Sequence, residues 1–193
     1  MLAFLHDRMQ ALQRLLDRSS EVLAKYSRLD LDLAPALHAF LDEAVAGCRA
    51  LGRSNLENQF LTLKAQFVSA VHGTHPLTLE RVTSHRRELV RAIALRVLQQ
   101  SAEQLRADLD RDGQTLSEGR AQLRPIVLLA IRNGLVSMED GKPPTQAELD
   151  ALWRALLKDS DAALAARQVA LQVGVYDIQL LLSDLIQAAK APV

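Results

Sequence analysis

Three aspartates at alternate positions, Asp108, Asp110 and Asp112, precede Gly113 and Glu118 in the stretch DLDRDGQTLSEG, the nearest approach to a ligand set in the chain. An EF-hand calcium loop needs oxygen ligands at positions 1, 3 and 5, glycine at 6 and a bidentate glutamate at 12, because the last carboxylate closes a shell of six to eight oxygens. Counted from Asp108, the aspartates and Gly113 fall where they should, but position 12 is Gly119. Glu118 stands one residue early, about 100° away around an exiting helix. Thr115-Leu116-Ser117-Glu118 also has the pattern of a capping box, with Thr115 opening a helix and Glu118 reaching back. The stretch therefore reads as a turn between two helices, built of turn-forming aspartates and glycine, with a calcium loop or an irregular weak cation site over Asp108–Asp112 as the alternatives.

Other reactive residue types form weaker sets. His72, His75 and His85 flank one turn, but no carboxylate or cysteine beside them completes a metal shell, so they read as solvated loop histidines. No Glu-x-x-His pair, G-x-S-x-G elbow or glycine-rich phosphate loop occurs. Cys48, the only cysteine, falls on an apolar stripe, as an inert buried thiol would, and excludes an intrachain disulfide. No catalytic, cofactor-binding or metal-ligating residue is expected.

Charge concentrates in SHRRELVRAIALR, where Arg87 and Arg91 share a polar face with Glu80 while Arg86 points into the apolar face. Solvated ion pairs account for the first two. Arg86 has to snorkel to the edge, pair with a carboxylate, or face a partner. A nucleic-acid surface would want more arginines on one side and stacking aromatics, and the 23 basic residues are balanced by 23 acidic ones, so no global field draws in polyanions.

The elements that must position these residues are helices. Leu2, Leu5, Met9, Leu12, Leu16, Leu23 and Tyr26 keep a 3,4 spacing interrupted only by Ser19, so residues 2–27 predict one long amphipathic helix. Leu33, Leu37, Phe40, Ala44, Cys48 and Leu51 make the next stripe, which ends at Gly52. Ser54 to Glu57 has capping-box form and opens a third helix with Leu56, Phe60, Leu63, Phe67 and Val71 on its buried face.

A fourth helix is expected from about Thr78 to Asp110. Leu79, Val82, Leu89, Val90, Ile93 and Val97 share one face, whereas Leu98, Leu105 and Leu109 lie more than a quarter turn around from it. Heptad drift of about 20° per repeat cannot produce that change, so the first half is expected to pack on the preceding helices and the second half on the later ones. A fifth helix over 115–133 contains Pro125, which should bend or split it, and Asn133-Gly134 supplies a left-handed stop. Met138 to Pro144 reads as a loop, and Thr145 to Glu148 as a capping box ahead of Leu149, Leu152, Trp153 and Leu156. A final helix from about Ser160 carries a seam of Leu164, Gln168, Leu171, Val175, Ile178, Leu182 and Leu185, and a second apolar side in Val169, Val173, Tyr176 and Leu180.

These stripes predict an all-α bundle of six or seven helices in two continuous sub-bundles, residues 1–98 and 99–193, joined by a long central helix, with one undivided domain as the alternative. The opening MLAFLHDRMQ breaks its apolar residues with His6, Asp7 and Arg8, and the longest apolar run, Ile126 to Ile131, falls short of the roughly 20 residues of a membrane span. A soluble cytoplasmic protein is the expectation. A helix with two apolar sides either lies centrally or meets another chain. The functional expectation is a non-catalytic protein–protein interaction module, an adaptor, chaperone or neutralising partner, that self-associates as a homodimer or binds another protein. Its candidate partner-binding residues are Arg86, Val169, Val173, Tyr176 and Leu180. The alternatives are a helical enzyme or small-ligand receptor with a pocket between the halves, and a regulator of nucleic acid.

Overall fold

Apolar residues recur three and four apart along almost the whole chain, and the runs that carry this period fold as helices. The computed structural model describes residues 4–135, 142–160 and 162–190. Over them the chain forms α1 (Leu5–Ser27), α2 (Leu33–Ala50), α3 (Ser54–Val71), α4 (Arg86–Arg132), α5 (Gln146–Lys158), α6 (Ala163–Val173) and α7 (Val175–Lys190). The result is an all-α bundle with α4 as its long central helix. Among the described residues the only extended pairing is an isolated bridge between Thr74 and Arg81, and no single helix is long and apolar enough to cross a membrane.

Contacts along the chain divide into two compact units, Asp7–Asp110 and a second made of Phe4–His6 with the chain from Arg111 onward. In the first unit α2 lies against α3. Leu37, Phe40, Leu41, Ala44 and Cys48 of α2 meet Phe60, Leu63 and Phe67 of α3 in one core, closed by Leu12, Leu15 and Val22 of α1 and Val97, Leu98 and Leu105 of α4. Phe40 and Phe60 meet edge to face, with ring centroids 6.2 Å apart. The buried side of α1 runs through Leu12, Leu15, Ser19 and Val22, so Leu23 is turned outward and Leu16 only half covered; the Leu2 and Met138 expectations reach outside the described residues. Ser19 lies in that core without an orphaned hydroxyl because its Oγ donates to the carbonyl of Leu16 at 2.7 Å.

The helix α4 departs most from its expected outline. It starts at Arg86, since residues 74–85 form a loop in which Leu79 and His85 take φ of 60° and 61°. Leu79, expected on a buried face, is exposed there. The helix then continues through Asp108–Asp112 to Arg132, so the expected turn is helix and the two helices either side of it are one. The reason is a single 3,4 stripe of Leu105, Asp108, Asp112, Leu116, Gly119, Leu123, Val127 and Ala130, all buried or half-buried. Asp108 and Asp112, four residues apart, share that buried side, while Asp110, about 200° around from Asp108, is exposed. Helical geometry thus turns Asp110 away from the other two carboxylates. Thr115 is no cap either, because its Oγ1 donates to the carbonyl of Arg111 at 3.0 Å in mid-helix. Leu105 and Leu109, expected to pack on the later helices, belong to the first core. Pro125 lies inside α4 without ending it. Gly134, at φ 72°, ends the helix in the expected left-handed turn, with its N–H on the carbonyl of Ile131 at 3.0 Å.

In the second unit α5, α6 and α7 pack on one another around Leu123 and Val127 of α4. Thr145 forms the anticipated capping box: its N–H donates to Glu148 Oε2 at 2.7 Å and its Oγ1 accepts from the Glu148 N–H at 3.4 Å. That bond from the Thr145 main chain, then its hydroxyl, holds the Glu148 carboxyl below its usual value. The Ser54 box does not form. Arg53 occupies the N-cap position of α3, and Glu57 turns instead to Arg49, 2.7 Å away.

Candidate functional site

The expected final helix is two helices. Gly174 takes φ 89° and ψ 157°, a conformation open to glycine but not to residues with a Cβ. It turns the chain by 117° between α6 and α7. The predicted seam is therefore divided. On α7, Ile178, Leu182 and Leu185 are buried as expected. On α6 the seam residues face outward: Leu164 is 73% and Leu171 89% exposed, with Gln168 exposed between them.

The buried side of α6 is instead Ala166, Val169 and Val173. Val169 and Val173, named above as partner-binding, are core residues, and Gly119 of α4 is the reason. A Cβ at Gly119 would come within 3.1 Å of Val173 Cγ1 and 3.3 Å of Val169 Cγ1, so the missing side chain is the space these two valines occupy. Tyr176 and Leu180, one turn apart on α7, are 42% and 36% exposed. The ring of Tyr176 stacks on Phe4 with centroids 4.4 Å apart, and Phe4 is itself partly exposed. The outward apolar residues of α6 and α7 are thus Leu164 and Leu171 on α6, Val175 at the bend, and Tyr176, stacked on Phe4, with Leu180; Leu128, Leu129 and Leu135 are exposed on the later part of α4 and just after it.

Next to Tyr176 in the chain is Asp177, which sequence reasoning did not single out. It is 1% exposed, and its Oδ2 and Oδ1 accept the N–H groups of Leu5 and His6 at 2.8 and 3.0 Å. These are the first donors of α1, which have no partner within a helix, so Asp177 acts as a cap supplied from far along the chain. Gly174, three residues before an aspartate inside an apolar run, is the local signal that marks both the break and the new helix start.

The remaining candidates have roles within the chain. Arg86 lies in the other unit, where its guanidinium donates to the Val71 carbonyl at the C-terminal end of α3. This favourable placement of a cation explains its snorkelling off the apolar face. Arg91 does not use Glu80; it lies over the ring of Tyr26, 4.8 Å from the centroid. His75 Nδ1 accepts from the Thr78 N–H at 3.2 Å within its loop. Cys48 is fully buried, and desolvation, then the nearby charges of Asp108 and Glu57, pushes its thiol up to about 12. Among the described residues no three His, Cys, Asp or Glu side chains are grouped to hold a metal ion.

No protein-family model, curated protein or solved structure matches this chain.

Proposed function

We propose that the chain is a non-catalytic helical protein–protein interaction module of the cytoplasm that docks along the outward face of α6 and the start of α7. The observation that carries this reading is the exposure of Leu164 and Leu171, 73% and 89%, on the same side of one helix. Seven residues apart, they differ by only about 20° around the helix and form the spacing of a coiled-coil seam. Covering a fully exposed leucine contributes roughly 1.5–3 kcal/mol, and the half-exposed Tyr176 beside Phe4 is the kind of rigid aromatic that anchors interfaces. The first partner to consider is a second copy of the chain, because a leucine seam interrupted by one glutamine, Gln168, can face itself across a two-fold axis with register specified.

Light scattering after size exclusion, on the parent and on Leu164→Ser with Leu171→Ser, tests this directly. A dimer that becomes a folded monomer in the variant supports self-association. A monomeric parent that retains a specific host protein, lost by the variant, supports binding of another protein. A monomeric parent that retains nothing the variant does not retain overturns the reading.

A further inference from the structure

A second surface of the same unit combines charge with apolar area away from α6. Between the later part of α4 and the last turns of α7 runs a half-open groove of about 440 Å³. Its α4 wall carries Ser117, Arg120, Arg124 and Leu128, spaced three and four apart, so they form one row. Eleven residue steps at about 1.5 Å give that row roughly 16 Å, three helical turns. Val127 and Leu185, both buried, make the floor, and Ala188 and Ala189 keep the α7 wall low.

The two arginines are in different states. Arg120 is joined to Asp184 of α7 at 2.9 Å, which ties the two walls together. Arg124, one turn on, is exposed and has no hydrogen-bond or ion-pair partner among the described residues. Its planar fork is suited to receiving a carboxylate through two parallel bonds. Next to it, Pro125 has no N–H to give the carbonyl of Ala121, another groove residue, so the helix itself leaves that main-chain acceptor without its ordinary donor.

We infer that this groove receives a short amphipathic helix from a partner protein, with an acidic side chain on Arg124 and apolar side chains over Val127, Leu128 and Leu185. A half-open groove along a three-turn row of α4 cannot enclose most of a small ligand's surface, as small-molecule sites do, whereas a row spaced three and four apart beside a low apolar floor matches the surface on which an amphipathic helix is held. The unpaired cation at the rim sets the charge of the incoming segment. The groove is separate from the α6 face, and docking at either can fail without the other.

A displayed library of helical peptides, randomised along one face, should be selected on the full chain and on Arg124→Glu and Ala188→Phe. Both positions are exposed, so the fold should survive, which thermal melts would verify. Selection on the parent should enrich Asp or Glu one turn from a leucine or isoleucine. Those peptides should bind at least tenfold more weakly to Arg124→Glu and to Ala188→Phe, and selection on Arg124→Glu should enrich Lys or Arg at the acidic position. Enrichment without an acidic position, or acidic peptides that bind both variants as they bind the parent, overturns the inference. Dodecanoate held in an Arg124-dependent manner as tightly as the best peptide would also overturn it, in favour of a small anionic amphiphile.

Discussion

The carboxylate of Asp177 accepts the main-chain N–H of Leu5 at 2.8 Å, across 172 positions of sequence. It accepts that of His6 as well, at 3.0 Å, and so closes the start of α1 from within the second unit. Removing it leaves two helix donors facing a site that water reaches poorly. Asp177→Ala is expected to destabilise the protein by about 2 kcal/mol, and Asp177→Asn by less, because the amide oxygen still accepts one bond. Urea titration gives the magnitude. Hydrogen exchange should show protection lost first at the amides of Leu5 to Met9; unchanged protection there would mean the cap contributes little.

Gly119 carries a second expectation, in which two effects oppose each other. Alanine is a better helix former than glycine by about 1 kcal/mol. Its Cβ would, however, press on Val173 and Val169 at 3.1 and 3.3 Å, and β-branched side chains packed in a core cannot swing aside without leaving their rotamer. Gly119→Ala should therefore destabilise by roughly 1 kcal/mol. Adding Val173→Ala should cost less in the Gly119→Ala background than in the parent, a coupling that a double-mutant cycle measures. Simple additivity would show that the valines do not confine the glycine.

Cys48 should be silent towards thiol reagents at pH 8 until the protein unfolds, since its thiol is raised from the usual 9.0 to about 12. Between about 9 and 12 the unfolded chain releases this proton while the folded chain keeps it, so the group's contribution to stability is full below 9 and is lost as pH rises through that window. Cys48→Ala should flatten the fall in stability above pH 9. Labelling of the native protein at pH 8 as fast as of the unfolded one would contradict the burial.

Leu105 and Leu123 both lie on α4 and are both fully buried, yet they belong to different cores. An aspartate at either position places an unpaired charge among apolar side chains, at a cost of at least about 3 kcal/mol. Exchange protection should fall mainly within residues 7–110 for Leu105→Asp and within 111–190 for Leu123→Asp. Equal loss throughout for both variants would indicate one cooperative core.

Much of the helical plan was legible because a 3,4 period is a local property. The stripes of α2, α3 and α5 can be read residue by residue from Leu37-Phe40-Ala44, Leu56-Phe60-Leu63 and Leu149-Leu152-Leu156, and all of these are buried. The capping boxes show where local pattern stops sufficing. Thr145–Glu148 closes as written, but Ser54–Glu57 does not, because Glu57 bonds Arg49 of the neighbouring helix. Thr115–Glu118 fails for another reason: its residues continue a stripe that begins before the supposed turn, with two aspartates standing in positions that usually hold apolar residues.

What the sequence alone determined is the helical class and the periodicity of its faces, since 3.6 residues per turn acts on neighbours along the chain. Which of two apolar faces is covered was decided by tertiary structure. Val169 and Val173 are inside and Leu164 and Leu171 outside because Gly119, on a distant helix, has no side chain where the valines must go. The same holds for Asp177, whose carboxylate tolerates burial only because the start of α1 brings two N–H donors to it. Both outcomes depend on groups remote in sequence meeting at van der Waals or hydrogen-bond range, which no reading of local spacing contains.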